Sequence, residues 1–190
     1  MPPASLLLPG IWLMLPRQFL QLLSATLLSA CAGSSTVPRS YSVPADAQNP
    51  IVMRYEGATP AEMTEIVAQM CSGIPIAKSQ VVPEKGYVET RWADIAEFSL
   101  GLQADVYPLP ERQVVYVFQA QETGEKSGVL QIGGWYQPTR PPGSSPQRDS
   151  RYDRFIPTDH PGYQLMLQFK FRLDELFAQK KIRVVESNTP

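Results

Sequence analysis

Residues 113–137 read QVVYVFQAQETGEKSGVLQIGGWYQ. Two runs rich in β-branched and aromatic side chains flank a polar stretch, 123–128, that contains Gly124 and Gly128. This is the signature of a β-hairpin, with strands expected over 113–121 and 129–137. On the second strand Leu130, Ile132 and Tyr136 are expected to face the core. Gly133 and Gly134 mark either a bulge or a place where another part of the chain comes close.

The neighbouring segments extend this hairpin into a sheet with helices. Residues 51–55 (IVMRY) form a short β-prone run ended by Gly57. Thr59, Pro60 and Glu62 then supply a capping box with proline at the first helical position. Met63, Ile66, Val67, Met70 and Cys71 recur at helical spacing as one apolar face, which Gly73 and Pro75 terminate. Residues 76–82 and 87–95 read as a second hairpin turning through Pro83–Gly86, and 96–110 as an irregular connection. A second helix is expected to start near Pro161, with Leu165, Phe169, Leu173, Leu176 and Phe177 on its buried side. Lys180 and Lys181 suit its C-terminal end through the helix dipole. A short strand at 182–185 closes the chain. The order β-α-β-β-β-β-α implies an α+β domain: an antiparallel sheet of about four to five strands with two helices on one face.

Outside residues 51–190 the composition changes. Residues 1–30 hold no Asp or Glu and one base, Arg17, followed by the apolar run from Phe19 to Leu28. One positive charge and an apolar core of about ten residues is the pattern of a secretory signal peptide, too short for a membrane span of roughly 20. Pro9, Gly10 and Pro16 break the preceding apolar stretch, so Met14 is read as the true start. The core runs into Leu28-Ser29-Ala30-Cys31, which resembles the lipobox of bacterial lipoproteins. That resemblance implies cleavage by signal peptidase II before Cys31 and acylation of Cys31, with Leu28, Ser29 and Ala30 as the recognition residues. With Ala32 rather than Asp next to the cysteine, it implies the periplasmic side of the outer membrane in a double-membraned host. Several acyl chains anchor stably where one binds only marginally. Residues 31–50 are Ser-, Pro- and Ala-rich without periodicity and read as the acylated cysteine and a flexible tether. In element order the folded part is similar to the helix-grip domains of BamC, an accessory lipoprotein of the β-barrel assembly machinery.

Composition narrows the chemistry. The 190 residues carry 17 Lys plus Arg and 18 Asp plus Glu, a net charge of −1 that lacks the basic footprint of a nucleic-acid binder. One histidine and two cysteines exclude a His-based metal cage and a disulfide scaffold. Cys71, on the apolar face of the first helix, reads as a core thiol rather than a nucleophile. His160 stands in Thr158-Asp159-His160-Pro161-Gly162 without a serine elbow or a second histidine, which fits a helix cap better than a general base. No cofactor or metal is expected, and no enzyme.

A binding surface is expected among Glu89, Arg91, Trp92 and Trp135, because Trp and Arg are enriched at binding hot spots, and at Arg151 and Arg154, which with Arg140 and Arg148 outnumber Asp149 and Asp153 by two and suit anionic lipid headgroups or an acidic partner, or simply a solvated loop. Trp92 and Trp135 can equally serve as core residues beside Phe118 and Phe169, leaving Glu89 and Arg91 as a cross-strand pair. Residues 138–150 (PTRPPGSSPQRDS) are expected to form a mobile loop. Together these features point to a membrane-anchored envelope lipoprotein that acts without catalysis, as an interaction or assembly-accessory module with an envelope protein partner. The competing reading is a periplasmic lipid or apolar-ligand carrier, which requires a continuous apolar pocket.

Overall fold

The central hairpin forms as its sequence dictates. β5 (Gln113–Gly124) and β6 (Ser127–Tyr136) pair antiparallel, from Val114 opposite Tyr136 to Gly124 opposite Ser127, with Glu125 and Lys126 between them. The computed structural model describes residues 47–72, 78–98 and 109–188. The signal peptide, Met14, the lipobox Leu28-Ser29-Ala30-Cys31 and the tether up to residue 46 lie outside the described residues. So do Gly73, Pro75 and the central part of the irregular connection.

The architecture is α+β. β1 (Ile51–Glu56) is followed by α1 (Pro60–Ser72), β2 (Lys78–Val82), β3 (Tyr87–Thr90), β4 (Ala93–Asp94), β5 and β6. After β7 (Arg154–Phe155) come α2 (Pro161–Lys180) and β8 (Arg183–Ser187). The eight strands among the described residues belong to one sheet in the order β2-β3-β5-β6-β1-β8, with β4 on the edge of β5 and β7 on the edge of β6. Every pairing is antiparallel.

The strand count exceeds the four to five expected for definite reasons. The run 87–95 ends as a strand at Thr90, and the chain resumes pairing only at Ala93–Asp94. β7 is two residues long, too short for any periodicity to announce it.

Register places the apolar rows. Phe118 lies opposite Ile132 and Ile132 opposite Ile51, while Ala120, Leu130 and Met53 form the next row. These side chains share one core with Met63, Ile66, Val67, Met70 and Cys71 of α1 and with Leu165, Phe169, Leu173 and Phe177 of α2. Both helices therefore cover the same face of the sheet. Phe169 sits at its centre, edge-on to Tyr116 at 4.9 Å and to Phe118 at 5.6 Å between ring centroids, a favourable aromatic geometry.

Both helices start on the residues that the sequence marks. The Thr59 amide donates to Glu62 Oε2 at 2.7 Å, and the Glu62 amide donates to Thr59 Oγ1 at 3.2 Å, which completes the capping box. At α2, His160 Nδ1 accepts from the Gly162 amide at 3.0 Å, so the cap is the histidine itself. Gly134 marks a close approach and not a bulge, since the ladder runs without a shift past it. A Cβ there would lie 2.8 Å from both Ile156 Cδ1 and Met166 Sδ.

Two expectations need correction. Trp92 and Trp135 are half-buried and stand outside the core that Phe118 and Phe169 build, because Trp135 points to the opposite face and β3 ends before Trp92. The expected tether also ends earlier than residue 50. Asn49 Nδ2 donates to the Gly134 carbonyl at 2.8 Å and the Ile156 carbonyl at 2.9 Å, and Asn49 Oδ1 accepts from the Gly134 amide at 3.2 Å. Tyr163 donates to the Gln48 carbonyl at 3.0 Å. Residues 48–50 are thus part of the domain's edge.

Candidate functional site

The face of the sheet turned away from the helices is covered in its own way. Alternation sends Val115 and Val117 outward opposite Trp135 and Gly133, yet Val115 is fully buried. Gly133 is the local reason that an indole fits there. A Cβ on it would stand 2.5 Å from Trp135 Cη2, so only glycine lets the ring lie this close to the backbone.

Over Trp135 sits the Arg148 guanidinium, 4.4 Å from the ring centroid, in a cation–π contact. Phe155 of β7 packs beside the same indole at 5.2 Å, and 52% of Phe155 is exposed. Arg148 Nε also bonds Asp153 Oδ2 at 2.9 Å. Gln137, fully buried, donates to Asp153 Oδ1 at 2.7 Å and to the Gln147 carbonyl at 2.6 Å. The loop expected to be mobile over 138–150 is thus tied to the end of β6 through Gln137, and within itself through Arg140, which donates to the Ser144 carbonyl at 2.6 Å. Arg140 is buried, and that burial lowers its guanidinium pKa.

The residues singled out from sequence are partly brought together. Trp135 faces Phe155, and Tyr136 faces Arg154, across the β6–β7 pair. Arg154 is exposed and donates through Nη1 to the Asp153 carbonyl at 2.8 Å. Arg151 is exposed and forks onto Asp149, with Nη2 to Oδ2 at 2.7 Å; this pair raises the arginine pKa and lowers that of the carboxylate. Glu89 lies on the same outward face, opposite Val117, and accepts a hydrogen bond from the Tyr87 hydroxyl. Burial, then Glu89, push the Tyr87 hydroxyl up to about 12, with Arg148 pulling the other way. Arg91 and Trp92 lie past the end of β3 and are not drawn into the Trp135 cluster by any described contact. Sequence reasoning missed Phe155 as a member of the site and, although it counted Arg148 among the loop's bases, did not pair it with Trp135. Their link to Trp135 runs through a two-residue strand and a proline-rich loop, neither of which has a periodic signal.

The chemistry elsewhere is structural. His160 is committed at both ring nitrogens, since Nε2 lies 2.9 Å from the Glu111 carbonyl while Nδ1 takes the Gly162 amide. Burial lowers its pKa. Asp94 and Arg112 form a largely buried ion pair at 3.0 Å, and Asp94 Oδ1 also takes the Ala96 amide at 2.8 Å. Cys71 is fully buried in the core. Among the described residues no group of three or more His, Cys, Asp or Glu side chains could hold a metal ion. Among them, too, no helix is long and apolar enough to cross a membrane. A groove of about 360 Å³ runs between the start of α1 and the end of α2. Glu62, Glu65, Gln69 and Lys180 line it beside Ile66 and Ile182, a more polar wall than an apolar ligand needs.

No protein-family model matches the chain, and no curated protein matches it either.

Proposed function

We propose that this protein is a lipid-anchored envelope lipoprotein on the periplasmic side of the outer membrane, and that its folded domain is a non-catalytic interaction or assembly-accessory module. The anchor follows from Leu28-Ser29-Ala30-Cys31 behind a charged and apolar leader. The observation that carries the interaction role is the stack of Arg148, Trp135 and Phe155 on the face of the sheet opposite both helices. An aromatic side chain left half-exposed beside a guanidinium-capped indole contributes nothing to the helix-side core and has the composition of a binding hot spot. Its partner in this role is an envelope protein that meets the face bearing Glu89 and Trp135.

Intact-mass spectrometry of protein purified from native membranes tests the anchor. The expected species starts at Cys31, carries added acyl mass and disappears in Cys31→Ala. Photo-crosslinking from position 89 in intact cells tests the partner, with a discrete protein adduct lost in Trp135→Ala as the expected result. An unmodified, freely soluble chain together with no adduct would overturn the proposal.

A further inference from the structure

β8 is the end strand of the sheet, and among the described residues it pairs on one side only, with β1. Of the large apolar side chains among these residues, its Val185 is the most exposed, at 55%. An edge of this kind is a template for a further strand.

An irregularity in the β1–β8 pairing arranges the charges along this edge. Arg183 lies opposite Glu56 and is ion-paired to it, and Glu186 lies opposite Arg54, with 2.9 Å between Arg54 Nε and Glu186 Oε2. Residues three apart in a regular strand point to opposite faces. Here the adjacent Arg54 and Tyr55 stand opposite Glu186 and Val184, so Val185 is the extra residue of a bulge. That extra residue returns Glu186 to the face that carries Arg183. The edge therefore reads Arg183-Val184-Val185-Glu186, with unlike charges at its two ends on one face and valines between them. Turned end for end, this stretch complements itself.

We propose that β8 pairs antiparallel with β8 of a second copy of this chain, about a two-fold axis between Val184 and Val185. Arg183 of each copy then stands opposite Glu186 of the other, and Val184 opposite Val185. Charge argues for a second copy as the occupant. A strand protected against pairing carries charges that repel an approaching copy, commonly lysines. Here end-for-end approach brings each arginine to a glutamate and links the ion pairs with Glu56 and Arg54 into a row of alternating sign. The same residues fix the register, since a slip by one position faces Arg183 with Val185 or Ser187 and loses both charge pairs. Two-fold pairing uses one edge on both copies, so it closes at a dimer and builds no filament. At the other end of the sheet β2 carries a single charge, Lys78, and offers no such match. Residues directly opposite each other on paired strands share a face, so the dimer sets two copies of the outward face side by side. The pairing needs neither the lipid anchor nor Trp135, and its test is separate from theirs.

Two full-length forms, one with Arg183→Cys and one with Glu186→Cys, are co-expressed with different tags and oxidised in cell lysate. The register brings positions 183 and 186 of opposite copies within disulfide reach. Position 183 lies roughly 10 Å along the strand from its own counterpart, beyond the about 7 Å that a disulfide spans between Cα atoms. The expected product is a disulfide-linked dimer bearing both tags, formed in the mixture and not by the wild type or by either form alone. Adding Val185→Lys to both forms sets two like charges beside the axis and is expected to abolish that dimer. Unchanged urea midpoints then show that the substitution at this exposed position leaves the fold intact.

Absence of the mixed dimer from two folded forms overturns the proposal. So does a dimer that each form makes as readily alone, which reports another register or chance contact. Survival of the mixed dimer in Val185→Lys overturns it as well, and an adduct to a chain of another mass gives the β8 edge to a foreign strand instead.

Discussion

His160 Nε2 lies 2.9 Å from the carbonyl oxygen of Glu111, a residue 49 positions earlier in the chain. With Nδ1 accepting the Gly162 amide, the ring is needed in its neutral, Nε2-protonated form, which both caps α2 and ties it to the approach to β5. Burial lowers the pKa from its ordinary 6.5, outweighing the smaller opposing pull of Glu111 and Asp159. The folded chain therefore binds this proton less readily than the unfolded one. His160 contributes its full stability above pH 6.5 and loses it as pH falls below that value toward the folded pKa. Urea midpoints across this range should decline for the wild type. His160→Asn keeps a capping oxygen and should flatten that part of the profile; an unchanged slope would show that other groups carry it.

Two buried tyrosines should respond in opposite ways to losing a hydroxyl. Tyr116 is fully buried and donates to the Gly162 carbonyl at 2.9 Å, so Tyr116→Phe removes a satisfied buried hydrogen bond and should cost about 1 kcal/mol. Tyr55 is as deeply buried, but its hydroxyl has no hydrogen-bond partner, and burial helped by Glu122 pushes it up to about 12. Tyr55→Phe should be neutral or stabilising. Denaturant titrations of the two variants measure the contrast directly.

Gly86 closes the β2–β3 hairpin at φ +63°, and a Cβ on it would meet the Ala120 carbonyl oxygen at 2.1 Å. The Gly86 carbonyl in turn accepts the Ala120 amide at 2.7 Å, so the turn cannot move away without breaking its tie to β5. Left-handed backbone and a backbone clash add, and Gly86→Ala should cost about 3 kcal/mol or more. A loss under about 1 kcal/mol in equilibrium unfolding would mean that the hairpin relaxes freely.

Cys71 should be invisible to thiol reagents in the native protein. It is fully buried among the apolar side chains of α1, and an inaccessible thiol without an electropositive setting is unreactive. Alkylation should proceed only at denaturant concentrations that unfold the domain; rapid labelling under native conditions would place an opening motion in α1.

Local rules made the first helix, both hairpins and the second helix legible, because each is announced by neighbouring residues: Thr59 with Glu62, Gly124 before its turn, and the spacing of Leu165, Phe169 and Leu173. What escaped were contacts between residues far apart in sequence. Asn49 carries no mark that it will bond Gly134, 85 positions away. Gln137 looks like an ordinary strand end, yet it is fully buried and organises a proline-rich loop whose composition suggests freedom. Trp92 and Trp135 looked interchangeable as core residues. Only the break after Thr90 and the outward phase of β6 separate them from Phe118. Trp135 was therefore legible as a site residue, while its companions Arg148 and Phe155 depended on a tertiary pairing that no local pattern encodes.

The way the chain enters the sheet has a mechanical consequence. Tension arriving from the N-terminal side reaches Gln48 and Asn49 before Ile51, and must break four hydrogen bonds before β1 feels it. β1 is then gripped on both flanks, by β6 and by β8. A pull along its axis shears two ladders at once instead of unzipping one rung at a time, so a domain suspended from this end hangs by one of its best-held strands.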